Sequence, residues 1–277
     1  MSFVKRKPCR GVTLYGGDAE RVLRSLDEDS VQCVVTSPPY WALRDYGTDG
    51  ELGSECAPGE YIERLAQVMD EVLRILRWDG TLWLNLGDTY VAKDLQGIPW
   101  RVAFALQRSG WTLRQEIIWH KPCPKPENAK DRFTRAHEQL FLFVKQPKYH
   151  CDMTAIRQKA VGSVGGSSFG KQGQDDTGTG ASSRKYARPV YTTRNCHDVW
   201  TLSPANYKGA HFAVFPEKLV EPCVLAGCPK GGVVLDPFIG SGTTAVVARR
   251  LGRKCIGIDL NREYLKLVSA RIRKAEK

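Results

Sequence analysis

The chain has 277 residues, of which 42% are hydrophobic, enough for one large domain with a full core. No apolar run reaches the ~18 residues a bilayer-crossing helix needs, and the basic stretch Met1–Arg10 lacks the apolar segment of a signal peptide, so a cytoplasmic protein with no membrane partner is expected. A formal net charge of +11 suits a polyanionic partner, because Lys and Arg displace counterions from phosphates. The nine cysteines are scattered and lack paired spacing, which favours packed thiols over a disulfide framework. Cys223 and Cys228 come nearest to a metal pair, but no second pair with ligand spacing accompanies them, and no metal is expected.

In chain order, Val12–Tyr15 reads as a strand, Gly16-Gly17 as a tight turn, and Ala19 onward as a short helix. Asp18 stands where strand gives way to helix, a position that suits an N-cap. Val31–Val35 is a short apolar run, read as a buried strand. It leads into Thr36-Ser37-Pro38-Pro39-Tyr40. Two successive prolines cannot join a ladder and each fixes its own φ, so the chain leaves the sheet as a stiff extended loop. Ser37, the Pro38 carbonyl and an aromatic ring are then held at the carboxyl end of a strand, where open α/β sheets bind ligands. Tyr61 to Arg77 carries apolar residues at helical spacing, ended by Gly80. Thr81–Leu86 is a strand and Trp100–Leu106 a helix. Leu113–Trp119 and Gln139–Val144, with no helix-length segment between them, predict an antiparallel pair.

From Tyr149 to Asn195 the composition turns to Gly, Ser, Gln, Lys and Arg, which cannot bury enough apolar surface to order itself alone. Arg184, Lys185, Arg188 and Arg194, interleaved with Tyr186 and Tyr191, are candidates to meet phosphates and bases. Beyond it, Glu217–Leu225 reads as a helix with Pro216 at its first position. Gly232–Asp236 is a strand, Gly240-Ser241-Gly242 a turn and Thr243–Leu251 a helix. Cys255–Asp259 is a further strand and Asn261–Lys274 a closing helix.

Strand, glycine turn, helix, strand and acidic residue form a nucleotide-binding unit. Gly240-x-Gly242-x-x-Ala245 satisfies the dinucleotide fingerprint, and Asp259 follows 19 residues after Gly240, where a carboxylate meets ribose hydroxyls. Only 38 residues remain after residue 239, too few to complete a doubly wound sheet. The missing strands must come from the N-terminal half, which brings the Ser37 loop beside the glycine turn.

Thr36-Ser37-Pro38-Pro39-Tyr40 early and Asp236-Pro237-Phe238-Ile239-Gly240-Ser241-Gly242-Thr243-Thr244 late closely resemble the permuted (β-group) amino-methyltransferases of DNA. His211–Leu219, Ile117–Pro122 and His137-Glu138-Gln139 match the same family. The resemblance implies a doubly wound, mostly parallel, seven-stranded Rossmann-like sheet with an antiparallel strand pair, circularly permuted. It implies a catalytic domain of residues 1–148 and 197–277, and a variable target-recognition insertion at 149–196. S-adenosylmethionine is the implied cofactor, with Phe238, Gly240 and Gly242 in its pocket on the strand that ends at Asp236. Thr243 or Thr244 would lie near the methionine carboxylate, Phe215 and Pro216 against the methionine chain, and Lys218 would pair with its carboxylate. Asp259 would hold the ribose, and Asp18 the adenine amino group rather than serving as a plain cap.

Double-stranded DNA is the implied partner, a cognate restriction endonuclease a second one, and monomer and homodimer are both open. Ser37 and the Pro38 carbonyl would accept from the two amino protons of an extruded base, with Pro39 stiffening the loop and Tyr40 stacking on the ring. Ser in place of Asp before Pro-Pro-Tyr resembles the subgroup acting on cytosine N4; adenine N6 is the alternative. A nicotinamide oxidoreductase would leave the Ser37 loop and the charge unexplained, and a binding module without catalysis would leave a complete site unused.

Overall fold

A computed structural model describes residues 3–43, 47, 50–160, 192–204 and 215–275. In chain order the elements are β1 (Val4–Cys9), β2 (Val12–Gly16), α1 (Ala19–Leu23), β3 (Val31–Thr36), α2 (Pro58–Ile75), β4 (Leu76–Leu86), β5 (Tyr90–Val91), β6 (Asp94–Leu95) and α3 (Ile98–Arg108). They continue with β7 (Thr112–His120), β8 (His137–Val144), β9 (Gln158–Lys159), β10 (Thr193–Arg194), β11 (Val199–Thr201), α4 (Glu217–Gly227), β12 (Val233–Asp236), α5 (Thr243–Arg250), β13 (Lys254–Asp259) and α6 (Arg262–Ala275).

Among the described residues, nine strands form one sheet in the order β1-β2-β13-β12-β3-β4-β8-β7-β11. The inner seven are the strands expected from the sequence. The two edge strands were not: β1 is highly charged (Val-Lys-Arg-Lys-Pro-Cys) and carries no apolar alternation to betray it. β1 pairs antiparallel with β2, and β8 is antiparallel to both β4 and β7; the remaining ladders are parallel. The C-terminal strand β12 lies between β13 and the N-terminal β3, with Val234 opposite Cys33 and Leu235 opposite Val34. One sheet is thus assembled from both ends of the chain.

Period-two alternation splits the strand side chains between two cores. Val34, Leu82, Leu84, Phe141 and Phe143 face α1, α2 and α3, whereas Cys33, Val35, Trp83, Leu140 and Leu142 face α4, α5 and α6. Helix α2 contributes Tyr61, Ile62, Leu65, Val68, Met69, Val72 and Ile75 to the first core. At roughly 2 kcal/mol per buried side chain, this stripe fixes the helix far more firmly than its intrinsic propensity does.

The helix stops two residues before the expected Arg77. Leu76 is already extended (φ −69°, ψ 132°) and pairs with Val31. Gly80 does not cap the helix but admits the Leu76 side chain, since a Cβ there would lie 2.6 Å from Leu76 Cγ. Cys223 and Cys228 are fully buried free thiols whose pKa values are pushed up by burial, to about 11 for Cys228.

Candidate active site

The carboxyl ends of β3 and β12 are neighbours, and the crossovers leave them on opposite faces, α2 on one and α5 on the other. That is the point where an open α/β sheet forms a ligand crevice. Thr36 Oγ1 donates to Asp236 Oδ1 at 2.7 Å, joining the last residue of one strand to the last of the other. Asp236 is 1% exposed and accepts two further bonds, from Thr244 Oγ1 (2.7 Å) and Phe238 N (3.1 Å). Burial raises its pKa to about 6 even so. These three donors fold the chain after β12 into the glycine turn.

In that turn Gly240 and Gly242 have φ +48° and +84°, the left-handed region that favours glycine. A Cβ on Gly242 would also lie 2.7 Å from Val268 Cγ1. Asp259, at the end of β13, accepts from Gly240 N (2.9 Å) and Asn261 N (2.8 Å). Burial pushes its pKa up to about 7, against the lowering effect of those two amides. Asp18, at the end of β2, caps α1 by accepting from Arg21 N at 2.9 Å. Two carboxylates therefore stand at the ends of adjacent parallel strands beside a glycine turn, with half-buried Phe238 between them in the chain.

The other predicted cofactor residues take more varied places. Pro216 is buried as the N-cap of α4, half-buried Phe215 packs on the core beneath, and Lys218 is exposed. Thr243 and Thr244 are both buried, and the Thr244 hydroxyl turns inward to Asp236. One residue the sequence did not single out, Arg271 of α6, braces the turn. It donates to the Ser241 carbonyl (3.3 Å), Ser241 Oγ (3.2 Å) and Thr243 Oγ1 (3.0 Å), and pairs with Glu217 at 3.0 Å.

Across the crevice the Ser37 loop is pinned from three sides. Tyr61 OH of α2 donates to the Pro39 carbonyl at 2.9 Å. Ser37 Oγ donates to Tyr40 OH at 3.1 Å. Tyr40 OH in turn donates to Glu138 Oε2 at 2.8 Å and accepts from Asn85 Nδ2 at 2.7 Å. Asn85 Nδ2 also reaches Glu138 Oε2 (2.8 Å), while Lys121 pairs with Glu138 Oε1 and lies over the Trp119 ring.

Burial, then the Glu138 carboxylate, hold the Tyr40 phenol well above its ordinary pKa, so it stays neutral. Because the Ser37 proton is committed to Tyr40, the lone pairs of Ser37 Oγ remain to accept. No donor among the described residues reaches the Pro38 carbonyl. Asn85 (3% exposed) keeps a buried Oδ1 without a partner.

Asn85, Lys121 and Glu138 were absent from the sequence-derived site. The signals were present but weak: Asn85 interrupts an apolar strand at its carboxyl end, and Glu138 opens another strand at the same end. Arg184, Lys185, Tyr186 and Arg188 of the expected DNA-binding set lie outside the described residues. Arg194 is half-buried in the β9–β10 ribbon.

The DNA methylase family of N6/N4 methyltransferases matches residues 31–270. The chain belongs to that family. Among its relatives, the type II methyltransferase M.SmaI of Serratia marcescens is 41% identical over 95% of this chain and 91% of its own. M.Cfr9I of Citrobacter freundii is 40% identical over 95% and 88%. Among solved structures, the PvuII DNA methyltransferase (cytosine-N4-specific) superposes with a TM-score of 0.72 at 21% identity, covering 99% of this chain and 95% of that one. TTHA0409 of Thermus thermophilus, complexed with S-adenosyl-L-methionine, gives 0.64 at 26% identity, with 95% of each chain covered.

This methylase therefore uses S-adenosylmethionine, and the crevice fits that cofactor. The Asp259 and Asp18 carboxylates offer acceptors for hydroxyl and amino donors, and burial holds the Asp259 pKa up to about 7 despite its two amide donors. No described helix is long and apolar enough to cross a membrane.

Proposed function

We propose that this DNA methyltransferase modifies the exocyclic N4 amino group of a cytosine extruded from a specific duplex sequence, and that it is the modification partner of a restriction endonuclease. The cytosine assignment rests on the serine before Pro-Pro-Tyr, which resembles the N4 subgroup; the geometry supports amino-group methylation, because Ser37 is a neutral acceptor whose own proton is spent on Tyr40. An exocyclic amino nitrogen is a weak nucleophile because its lone pair is conjugated with the ring. Ser37 Oγ and the Pro38 carbonyl accept from the two amino protons, which localises that lone pair and stabilises positive charge on nitrogen as it reacts. Asn85, Glu138 and Lys121 hold Tyr40 so that its ring meets the base in one orientation.

S-adenosylmethionine supplies the electrophilic methyl group. Toward it, Asp259 and Asp18 bind the ribose and adenine ends, while Phe238, Gly240, Gly242 and Thr243 line the pocket. Thr244 acts from beneath through Asp236. Phe215, Pro216 and Lys218 flank the methionine end. Holding donor and acceptor at fixed separation accounts for much of the acceleration. Residues 149–196, with Arg194 and the predicted basic-aromatic cluster, form the target-reading insertion of an otherwise single catalytic domain of residues 1–148 and 197–277. The serine marker, the type II names of the 40–41% identical relatives and the N4-specific name of the PvuII enzyme on the same fold are in keeping with this reading.

Expression in a methylation-free host, followed by long-read mapping of modified bases, tests it. N4-methylcytosine at one short motif is expected. N6-methyladenine there would overturn the base assignment and leave amino-group methylation standing, and no modified base would overturn both.

A further inference from the structure

The segment between β7 and β8 is a 16-residue loop, 121–136, whose two ends adjoin the Tyr40 network. Its first residue is Lys121 of the Tyr40 network, and Lys121 N bonds the carbonyl of its last residue, Ala136, at 2.7 Å. Its far end runs directly into Glu138. The loop carries five cations (Lys121, Lys125, Lys130, Arg132, Arg135) against two acids (Glu127, Asp131), a net +3. Phe133 sits among them and is 97% exposed, the most exposed of the large hydrophobic residues described.

This exposure is not that of a slack loop, because Phe133 is flanked by anchors. The Arg132 guanidinium lies 3.9 Å from the centroid of the Tyr90 ring and pairs with Glu127. Asp131 pairs with Lys93 at 2.7 Å, and Arg135 approaches Asp88 at 3.9 Å. Asp88 in turn caps α3 through Gly97 N (3.1 Å) and Ile98 N (2.9 Å). The β5–β6 hairpin and α3 thus brace the loop on both sides of a phenyl ring that touches water almost everywhere. Keeping such a ring out of the core forfeits its burial energy unless a partner covers it later.

We propose that Phe133 is a wedge that enters the duplex where the target base leaves it, while the exposed Lys125 and Lys130 of the same loop hold nearby phosphates. The proposal rests on the methyltransferase reading above. The occupant is duplex DNA rather than a protein, because the loop that presents the ring carries a net charge of +3. The geometry agrees. Phe133 is five residues from Glu138, at most about 17 Å of extended chain, so the ring lies within reach of a duplex whose extruded base stands at Ser37. Extruding a base costs a few kcal/mol of lost stacking and pairing, and apolar side chains inserted between base steps are a known way of stabilising the opened stack.

Because the ring touches little within the protein, Phe133→Ala should fold normally. Methyl transfer would be measured on two duplexes carrying the mapped site, one fully paired and one with the target base opposite an abasic site, where extrusion is already cheap. The variant is expected to lose about 10- to 100-fold in kcat/KM on the paired duplex and less than about threefold on the abasic one. Phe133→Trp should recover the paired activity, since it restores an apolar wedge. Equal losses on the two duplexes, or no loss on either, would overturn the wedge while the methyltransferase reading stands. Wild-type protein that labels neither duplex would overturn that reading and the wedge together.

Discussion

Replacing Gly87 by alanine tests whether the Tyr40 ring has one permitted position. Gly87 directly follows β4 and is not in the left-handed region, so its backbone accepts an alanine without strain. A Cβ there would lie 2.5 Å from Tyr40 Cε2 and 2.8 Å from Cδ2. Ordinary carbon contacts are about 3.5–4.0 Å, so the ring must retreat by roughly 1 Å. Its hydroxyl is held by three bonds of 2.7–3.1 Å to Asn85, Glu138 and Ser37. A displacement of about 1 Å stretches these beyond hydrogen-bonding range and leaves a part-buried carboxylate and amide short of a partner.

A misplacement of this size at a reacting centre costs on the order of 10²-fold in rate. The expected stability loss is in the range of about 1–3 kcal/mol, typical of overpacking. Single-turnover transfer of labelled methyl into duplex DNA would report the chemical step, and calorimetric titration would report cofactor affinity. The affinity should be unchanged, because the glycine turn is built on β12 and β13. Gly59→Ala is the control: nothing lies within 4 Å of its added Cβ. A Gly87→Ala single-turnover rate within about threefold of wild type would refute the claim that Tyr40 must be held in this place.

Other expectations can be checked independently. Cofactor affinity should weaken as pH falls through about 7. Burial raises the Asp259 pKa, and hydroxyl donors from a ribose favour the ionised form. Titrations from pH 8 to 6 should show the trend in wild type and lose it in Asp259→Asn. Asp236 has its folded pKa raised to about 6, so the folded state prefers the protonated carboxyl. Its contribution therefore favours folding below about pH 4 and is lost as pH rises to 6, a swing on the order of 3 kcal/mol. Asp236→Asn should remove that swing in denaturant melts across pH 4–7. Glu138→Gln should lower kcat about tenfold with cofactor affinity intact, because Lys121 loses its partner and Tyr40 OH its charged acceptor. Raising salt from 50 to 200 mM should weaken duplex binding by about 10³-fold or more if several phosphates are held, and a flat response would remove the electrostatic argument.

Much of this architecture was legible along the chain because it rests on local chemistry. Apolar period two and period 3.6 marked the inner strands and the helices. The proline pair after β3 and the glycine pair after β12 marked where the chain leaves the sheet. What escaped notice lacked such a signature: β1 is too charged to read as a strand, and its pairing with the open edge of β2 is a tertiary contact.

Asn85, Lys121 and Glu138 come from β4, the residue after β7 and the start of β8, up to 53 residues apart. Nothing local ties them together. Their meeting depends on register, Asn85 lying opposite Leu140 and Leu86 opposite Gln139. Composition, motif order and the late glycine turn already required one sheet built from both termini, with an acceptor loop beside a cofactor turn. Only the folded chain decided which charges steady Tyr40, that Thr244 faces inward and Arg271 braces the turn, and that Phe133 stands in water. Pairing register and burial are long-range properties, and a linear sequence does not display them.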